Sequence, residues 1–323
     1  MKKALICGVS GQDGAYLAQL LLSKGYQVWG SSRDAQMANF SNLVRLGIKE
    51  HIKLESVSLI DFRSVLQALI KIQPDEVYNL AGQSSVGMSF QQPIETLESI
   101  AIGTLNLLEA IRFTDRPIKF YNAASGECFG DTGSIPAQEN SPFQPSSPYA
   151  VAKATAFWGT VNYRDAYGLF ACSGILFNHE SPLRPMRFVT RKIVAATCRI
   201  AQGKAEILRL GNLSVIRDWG WAPEYVEAMW LIMQQETARD YIVATGESHS
   251  LQLFVETAFA YFDLDWRDYV EVDAEMLRPI DIIIGKADPS RAERELGWKA
   301  KYRMKDVVKM MVQAELAEDY GVK

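Results

Sequence analysis

Cysteine and histidine are scarce in this chain of 323 residues, which has four of the first and three of the second. Cys7, Cys128, Cys172 and Cys198 are scattered through apolar or helical stretches. That excludes a disulfide scaffold and predicts buried free thiols in a reducing cytosol. His51, His179 and His249 lie far apart without metal-ligand spacing, so no metal centre is expected. A surplus of one charge is also missing, the net charge being −4. Nucleic acid or an anionic membrane held by bulk charge is thereby excluded, and an anionic ligand needs a local cationic cluster. No run of about eighteen apolar residues occurs, so no membrane-spanning helix is expected. The apolar run near Met1 stops after about five residues, too short for a secretory leader. Internal repeats and low-complexity tracts are absent. The remaining composition, 48% hydrophobic and 22% charged, is that of a soluble globular protein with one large domain or two smaller ones.

What is present begins at the N-terminus. Residues 4–7 read as a buried parallel strand. Gly8-Val9-Ser10-Gly11-Gln12-Asp13-Gly14 follows at once, and residues 15–24 read as an amphipathic helix stopped by Gly25. In that order the glycines let the backbone approach a pyrophosphate, and the helix N-terminus attracts its charge. The spacing is G-x-x-G-x-x-G rather than the commoner G-x-G-x-x-G. Residues 26–31 form a second strand that runs into Ser32-Arg33-Asp34. No acid precedes Arg33 to take a ribose 2′-hydroxyl, and Ser32 with Arg33 suits a 2′-phosphate. NADP is therefore the expected cofactor, with Asp34 keeping NAD open.

The alternation of strand and helix continues. Strands are expected at residues 52–57, 76–81, 118–124 and 169–177, and helices at 62–72, 94–113 and from Tyr149. Repeated units of this kind predict an α/β fold, a doubly wound parallel sheet of the Rossmann type. Ligands then bind beyond the carboxyl ends of the strands. Residues 8–14, 32–33, 81–85, 125–127 and 178–180 all fall there. Candidate cofactor contacts are Gly8, Ser10, Gly11, Gln12, Asp13, Gly14, Ser32, Arg33, Leu80, Ala81 and Gln83, with Tyr149 and Lys153.

After about residue 178 the rhythm changes. Residues 178–185 read as a loop, 188–202 as a helix basic at its start (Arg187, Arg191, Lys192), and 223–235 as another helix. Residues 241–245 are expected to return as a strand to the first sheet. The last helix, from about Lys305, carries an apolar face of Val307, Val308, Met311, Val312 and Leu316. The division expected is a dinucleotide-binding domain of residues 1–178 plus about 213–246. A smaller, discontinuous substrate-binding lobe takes about 179–212 plus 247–323.

Ser147-Pro148-Tyr149-Ala150-Val151-Ala152-Lys153 sets a phenol and an ammonium four residues apart. On a helix both face the same way, one turn apart, and Pro148 suits the first turn. The ammonium favours phenolate, so the tyrosine pKa is expected below its ordinary value and Tyr149 is a candidate general base. Many helices contain this spacing by chance, so its surroundings decide. Lys153 would hold the cofactor ribose, and Ser125 would hydrogen-bond the reacting oxygen. Glu127, two residues beyond, could take a proton from carbon beside a new ketone and return it to a departing hydroxyl. The plainer alternative for Glu127 is a surface or helix-capping carboxylate. Lys192, Arg217 and Arg278, with Arg184, Arg187 and Arg191 nearby, would suit a diphosphate; a solvated basic face is the alternative.

Several runs resemble the extended short-chain dehydrogenase/reductases over essentially the whole length. They are Gly8 through Leu17, Val77-Tyr78-Asn79-Leu80-Ala81, Ser147 through Lys153, and Phe188-Val189-Thr190-Arg191-Lys192. The runs Asn178-His179-Glu180-Ser181-Pro182 and Arg217-Asp218-Trp219-Gly220 are similar to those of one branch, the GDP-mannose 4,6-dehydratases. The resemblance implies catalytic roles for Ser125, Glu127, Tyr149 and Lys153. It implies substrate contacts from Ser85, Asn178, Glu180, Lys192, Arg217 and Arg278, with GDP-mannose as substrate and GDP-4-keto-6-deoxy-mannose as product. It further implies NADP and a cytoplasmic homodimer or homotetramer. The chain departs from that branch at Ala124-Ser125-Gly126-Glu127, where Ser-Thr-Ser-Glu is usual. Other nucleotide-sugar chemistry remains open, namely an epimerase, a reductase or a GDP-heptose dehydratase. So does a non-catalytic NADP-binding sensor.

Overall fold

The computed structural model describes residues 1–321, with side chains to residue 317. Twelve strands occur among them: β1 Lys3–Cys7, β2 Gln27–Ser32, β3 Lys53–Ser56, β4 Glu76–Asn79, β5 Lys119–Ser125 and β6 Ala171–Leu176, then β7 Asn178–Glu180, β8 Leu208–Leu210, β9 Ile216–Trp221, β10 Tyr241–Val243, β11 Ser248–Ser250 and β12 Val270–Val272. Seven build one parallel sheet in the order β10-β6-β5-β4-β1-β2-β3. The unbroken apolar runs of its central strands follow from cover on both faces. Along β1, Ala4 and Ile6 join the core formed with helices Gln12–Ser23 and Ala222–Gln234, while Leu5 and Cys7 join the opposite one. That second core lies under helices Phe62–Ile72 and Gly103–Thr114. This is the doubly wound α/β architecture expected, with β10 paired to β6 in the large sheet.

A separate core gathers the rest. β7 and β9 pair in parallel, β11 joins β9 antiparallel, and β8 pairs with β12. Helices Val189–Ala201 and Leu251–Ala260 cover this side, and Val307, Val308, Met311 and Val312 of the last helix are buried against them. Leu316 packs at the margin of the same core. β9 falls within the segment read from sequence as part of the dinucleotide-binding domain, yet its strand partners are β7 and β11 of the small sheet, not strands of the large one.

Three elements differ from expectation. The first helix begins at Gln12, not Ala15, so Asp13 and Gly14 lie in its first turn. The helix expected over residues 94–113 is divided into Pro93–Leu97, a π-helical turn Glu98–Ile102 and Gly103–Thr114. The wide turn sits where Ile100 packs against Ala152 and Ala156 of the neighbouring helix, and against the backbone of Gly82. Residues 178–180, expected as loop, form β7; their polar side chains hide the pattern, and their partner β9 lies far along the chain.

Candidate active site

A cavity of about 420 Å³ opens where β4, β5 and β6 end, with Asp13 of the first helix also in its lining. Helix Pro148–Tyr167 delivers two residues to it. Ser147 caps that helix by accepting the Ala150 N–H at 3.1 Å, and Pro148 occupies the first helical position. Tyr149 and Lys153 therefore face the cavity one turn apart. The Tyr149 hydroxyl faces the Ser125 side chain at the end of β5 across the same cavity wall. Lys153 is buried, its Nζ donating to the Ala123 carbonyl at 2.8 Å and standing 5.8 Å from the Tyr149 ring centre.

The electrostatics correct one expectation. Burial pushes the Tyr149 phenol well above its ordinary range, outweighing the Ser125 side chain that pulls it down. The same burial lowers Lys153 to about 8. The spacing of the pair predicted a lowered phenol. Desolvation wins because the ammonium is turned to a backbone carbonyl.

Glu127 leaves the end of β5 on a short 3₁₀ turn, Gly126–Phe129, and lines the same cavity. Its neighbour Gly126 cannot carry a side chain without displacing Phe177, whose ring lies 2.9 Å from the position a Cβ would take. Burial raises the Glu127 pKa; Arg217 and Arg278 oppose that rise and Asp281 adds to it. Arg217 is itself buried, with Nε 3.8 Å from Glu127 Oε1 and Nη2 3.2 Å from Asp281 Oδ1. Arg278 reaches the same Asp281 oxygen at 3.4 Å. Two guanidinium groups, one carboxylate between them and a raised carboxyl thus share one wall.

The glycine loop fits a dinucleotide. A Cβ on Gly14 would lie 2.3 Å from the Gly8 carbonyl, and one on Gly8, at φ +84°, would lie 2.8 Å from the Leu80 carbonyl. Only glycine permits that closeness of loop, helix and β4. The helix behind, with Gly11 at its N-cap, has no side-chain cap, which leaves first-turn N–H groups for an external anion. At the end of β2 the Arg33 side chain is 87% exposed, 3.9 Å from Glu95. Asp34 Oδ1 accepts the N–H groups of Gln36 and Met37, each at 3.0 Å, and so is occupied within its own turn.

A family model described as GDP-mannose 4,6 dehydratase matches residues 5–311. The chain is 48% identical to GDP-mannose 4,6 dehydratase 2 of Arabidopsis thaliana, over 98% of this chain and 87% of that one. It is 42% identical to the GDP-mannose 4,6-dehydratase of Vibrio cholerae, over 98% and 94% of the two chains. The chain belongs to the GDP-mannose 4,6-dehydratase family. Among solved structures it is similar to the Thermus thermophilus UDP-glucose 4-epimerase in complex with NAD. That match has a TM-score of 0.85 and 25% identity, and covers 97% of this chain and 99% of that one.

Within this GDP-mannose 4,6-dehydratase relative, the cavity collects Asp13, Leu80, Ser85, Ser125, Glu127, Tyr149, Lys153, Asn178, Glu180, Lys192, Arg217 and Arg278. Gly8, Ser10, Gly11, Gln12, Gly14, Ser32, Arg33, Ala81 and Gln83, all expected to hold the cofactor, do not line it. The Gln83 amide is bound to the Ser85 backbone and donates to Thr96 Oγ1 at 3.2 Å. Ser85 Oγ caps the next short helix at Met88, 3.3 Å away. Glu180 is fully buried, and its carboxylate is engaged by Thr190 Oγ1 at 2.7 Å and Arg184 Nε at 3.1 Å. Lys192 Nζ donates to the Arg209 carbonyl at 2.7 Å. Arg191, one of the bases at the helix start, faces inward and pairs with Glu315. Asp281 was not legible as a site residue, since nothing local marks an acid three residues after Arg278. Nor did the sequence pair Asp13 with His179.

Proposed function

We propose that this chain dehydrates GDP-mannose to GDP-4-keto-6-deoxy-mannose. Glu127 carries the reading: a carboxyl with raised pKa in the cavity that holds Tyr149, Ser125 and Lys153. Tyr149 takes the C4 hydroxyl proton, and Ser125 holds the same oxygen. The nicotinamide, when bound, supplies the hydride acceptor for C4 and the hydride donor for C6. Lys153 holds the adjacent ribose and keeps a cation near Tyr149. The C4 ketone acidifies the C5 hydrogen; Glu127 removes that proton and delivers it to the departing C6 hydroxyl, so water leaves across C5–C6, and as C6 receives the hydride C5 takes a proton through solvent, balancing the one Tyr149 took and releases. Asn178, Lys192, Arg217 and Arg278 hold the GDP end, and Ser85 is a further substrate contact.

Gly8 to Gly14, with Leu80 and Ala81, hold the cofactor. NADP rather than NAD is supported by the exposed Arg33 beside Ser32 and by an Asp34 already occupied in its turn. The large sheet is the dinucleotide-binding domain, and the small sheets with the last helix form the nucleotide-sugar lobe. A homo-oligomer is supported by Val151 and Trp158, exposed at i and i+7 on one helix face, and by Ile94 and Ile102 exposed on its neighbour. Four buried free thiols fit a reducing compartment such as the cytoplasm, and no helix among the described residues is long and apolar enough to cross a membrane.

The test is turnover of GDP-mannose, with the keto-deoxy product identified by mass and borohydride trapping. Glu127→Gln is expected to keep cofactor reduction by substrate and to lose elimination by about a hundredfold or more. Unchanged elimination, or formation of the C4 epimer alone, would favour epimerase chemistry and sink the proposal.

A further inference from the structure

The chemistry above gives no role to the side chains of Gln12 and Asp13 in the glycine loop or of His179 and Ser181 at β7, yet the fold brings them together. His179 Nε2 lies 2.9 Å from Asp13 Oδ2, and its Nδ1 lies 2.7 Å from the Phe177 carbonyl. Gln12 Nε2 donates to the His179 carbonyl at 3.2 Å and to Asp13 Oδ1 at 3.0 Å. Ser181 Oγ donates to Gln12 Oε1 at 2.8 Å. A backbone carbonyl and an ionised carboxylate only accept, so both ring nitrogens donate and His179 is an imidazolium. Burial alone would lower the His179 pKa and raise that of Asp13. The pair overrides both, raising the histidine and holding Asp13 at about 2. The ring also stacks on Tyr225, with 4.4 Å between centres, and Arg184 is the further cation that opposes the proton.

His179 stands on a strand fixed in register to β9, opposite Gly220. β9 also carries Arg217, and helix Val189–Ala201 with Lys192 is tied to β7 through Thr190 and Glu180. The strand bearing His179 thus lies between the elements that carry Arg217 and Lys192, through strand pairing and the Thr190–Glu180 bond, and the glycine loop, through Asp13. We propose that Asp13 and His179 are positioning residues forming a joint between the cofactor loop and the nucleotide-sugar lobe, so that each ligand tightens the binding of the other. Both ligands need this joint in one geometry, and the first to bind removes the cost of fixing it for the second. The inference rests on the reading that NADP(H) and a guanosine diphosphate sugar are the ligands.

The experiment measures NADPH affinity with and without saturating GDP, and GDP affinity with and without saturating NADPH, by fluorescence and calorimetry. The unmodified protein should show mutual tightening of about fivefold or more, equal in both directions as linkage requires. His179→Asn should bring the ratio to about one, and Ser181→Ala should lower it part-way. A merely structural role would weaken each affinity and leave the ratio unchanged. Should His179→Asn fail to fold, as judged by circular dichroism, Ser181→Ala decides, and a full ratio there overturns the joint. Binding of both ligands without mutual tightening overturns the joint alone. Failure of the unmodified protein to bind GDP overturns the substrate reading and the joint with it.

Discussion

Tyr149 and Lys153 share one environment, and burial acts on them in opposite senses, raising the phenol and lowering the ammonium to about 8. Each shift favours the neutral form, as desolvation requires. Glu127 is displaced in the same sense, its carboxyl raised by burial. A general base must be ionised, so turnover should fall as the pH drops through this raised pKa. The acid limb of kcat/KM is expected above the ordinary carboxylate range. Arg217 opposes the rise from 3.8 Å away. Arg217→Met should therefore move the acid limb to still higher pH while raising KM for the GDP-sugar. A pH profile of kcat/KM checks both, and a limb that stays put would show that Glu127 is not the titrating base. The residue types at this site were legible in the sequence, from Tyr-x-x-x-Lys to the Ser and Glu at the end of a strand. The direction of the tyrosine shift was not, because it depends on how deeply the hydroxyl is enclosed and where the ammonium turns.

The helix Pro148–Tyr167 shows how much one element can be read locally. Its Ser cap, its Pro at the first position and its Gly168 terminator at φ +67° are sequence signals with fixed backbone consequences. Ser147→Ala should cost about 1 kcal/mol of stability, seen as a lower urea midpoint, and should reduce turnover through looser placement of Tyr149 two residues on. An unchanged midpoint would mean that tertiary packing alone holds the helix start. β7 shows the opposite case. Three residues, Asn178, His179 and Glu180, carry no apolar alternation and gain their strand geometry only from β9. The division of the helix expected over residues 94–113 has the same origin, since its wide turn lies where Ile100 meets Gly82 and the helix bearing Tyr149.

At the scale of the whole molecule, the cavity takes lining residues from the large sheet's strand ends and from the smaller sheets, so neither alone completes it. The outer face of the Tyr149 helix points away from that cavity and leaves Val151 and Trp158 exposed at 42% and 58%. Such a face on two adjacent helices fits a self-complementary contact with a second copy. Trp158→Asp is expected to shift the protein toward monomer in light scattering, whereas an unaltered mass would place the subunit contact elsewhere.

The sequence by itself determined the class of fold, the glycine loop after the first strand and many of the groups that line the cavity. Those follow from backbone rules and short spacings: glycines where chains approach within 3 Å, apolar runs where a strand is covered twice, a phenol and an amine one helical turn apart. Only the tertiary structure decided that Asp281 gathers Arg217 and Arg278, that Glu180 is occupied by Thr190 and Arg184, and that His179 grips Asp13. These contacts join residues far apart in the chain, through partners whose distance and burial no local pattern encodes. Electrostatic shifts depend on both quantities, so the charge state of the site belongs to the folded molecule.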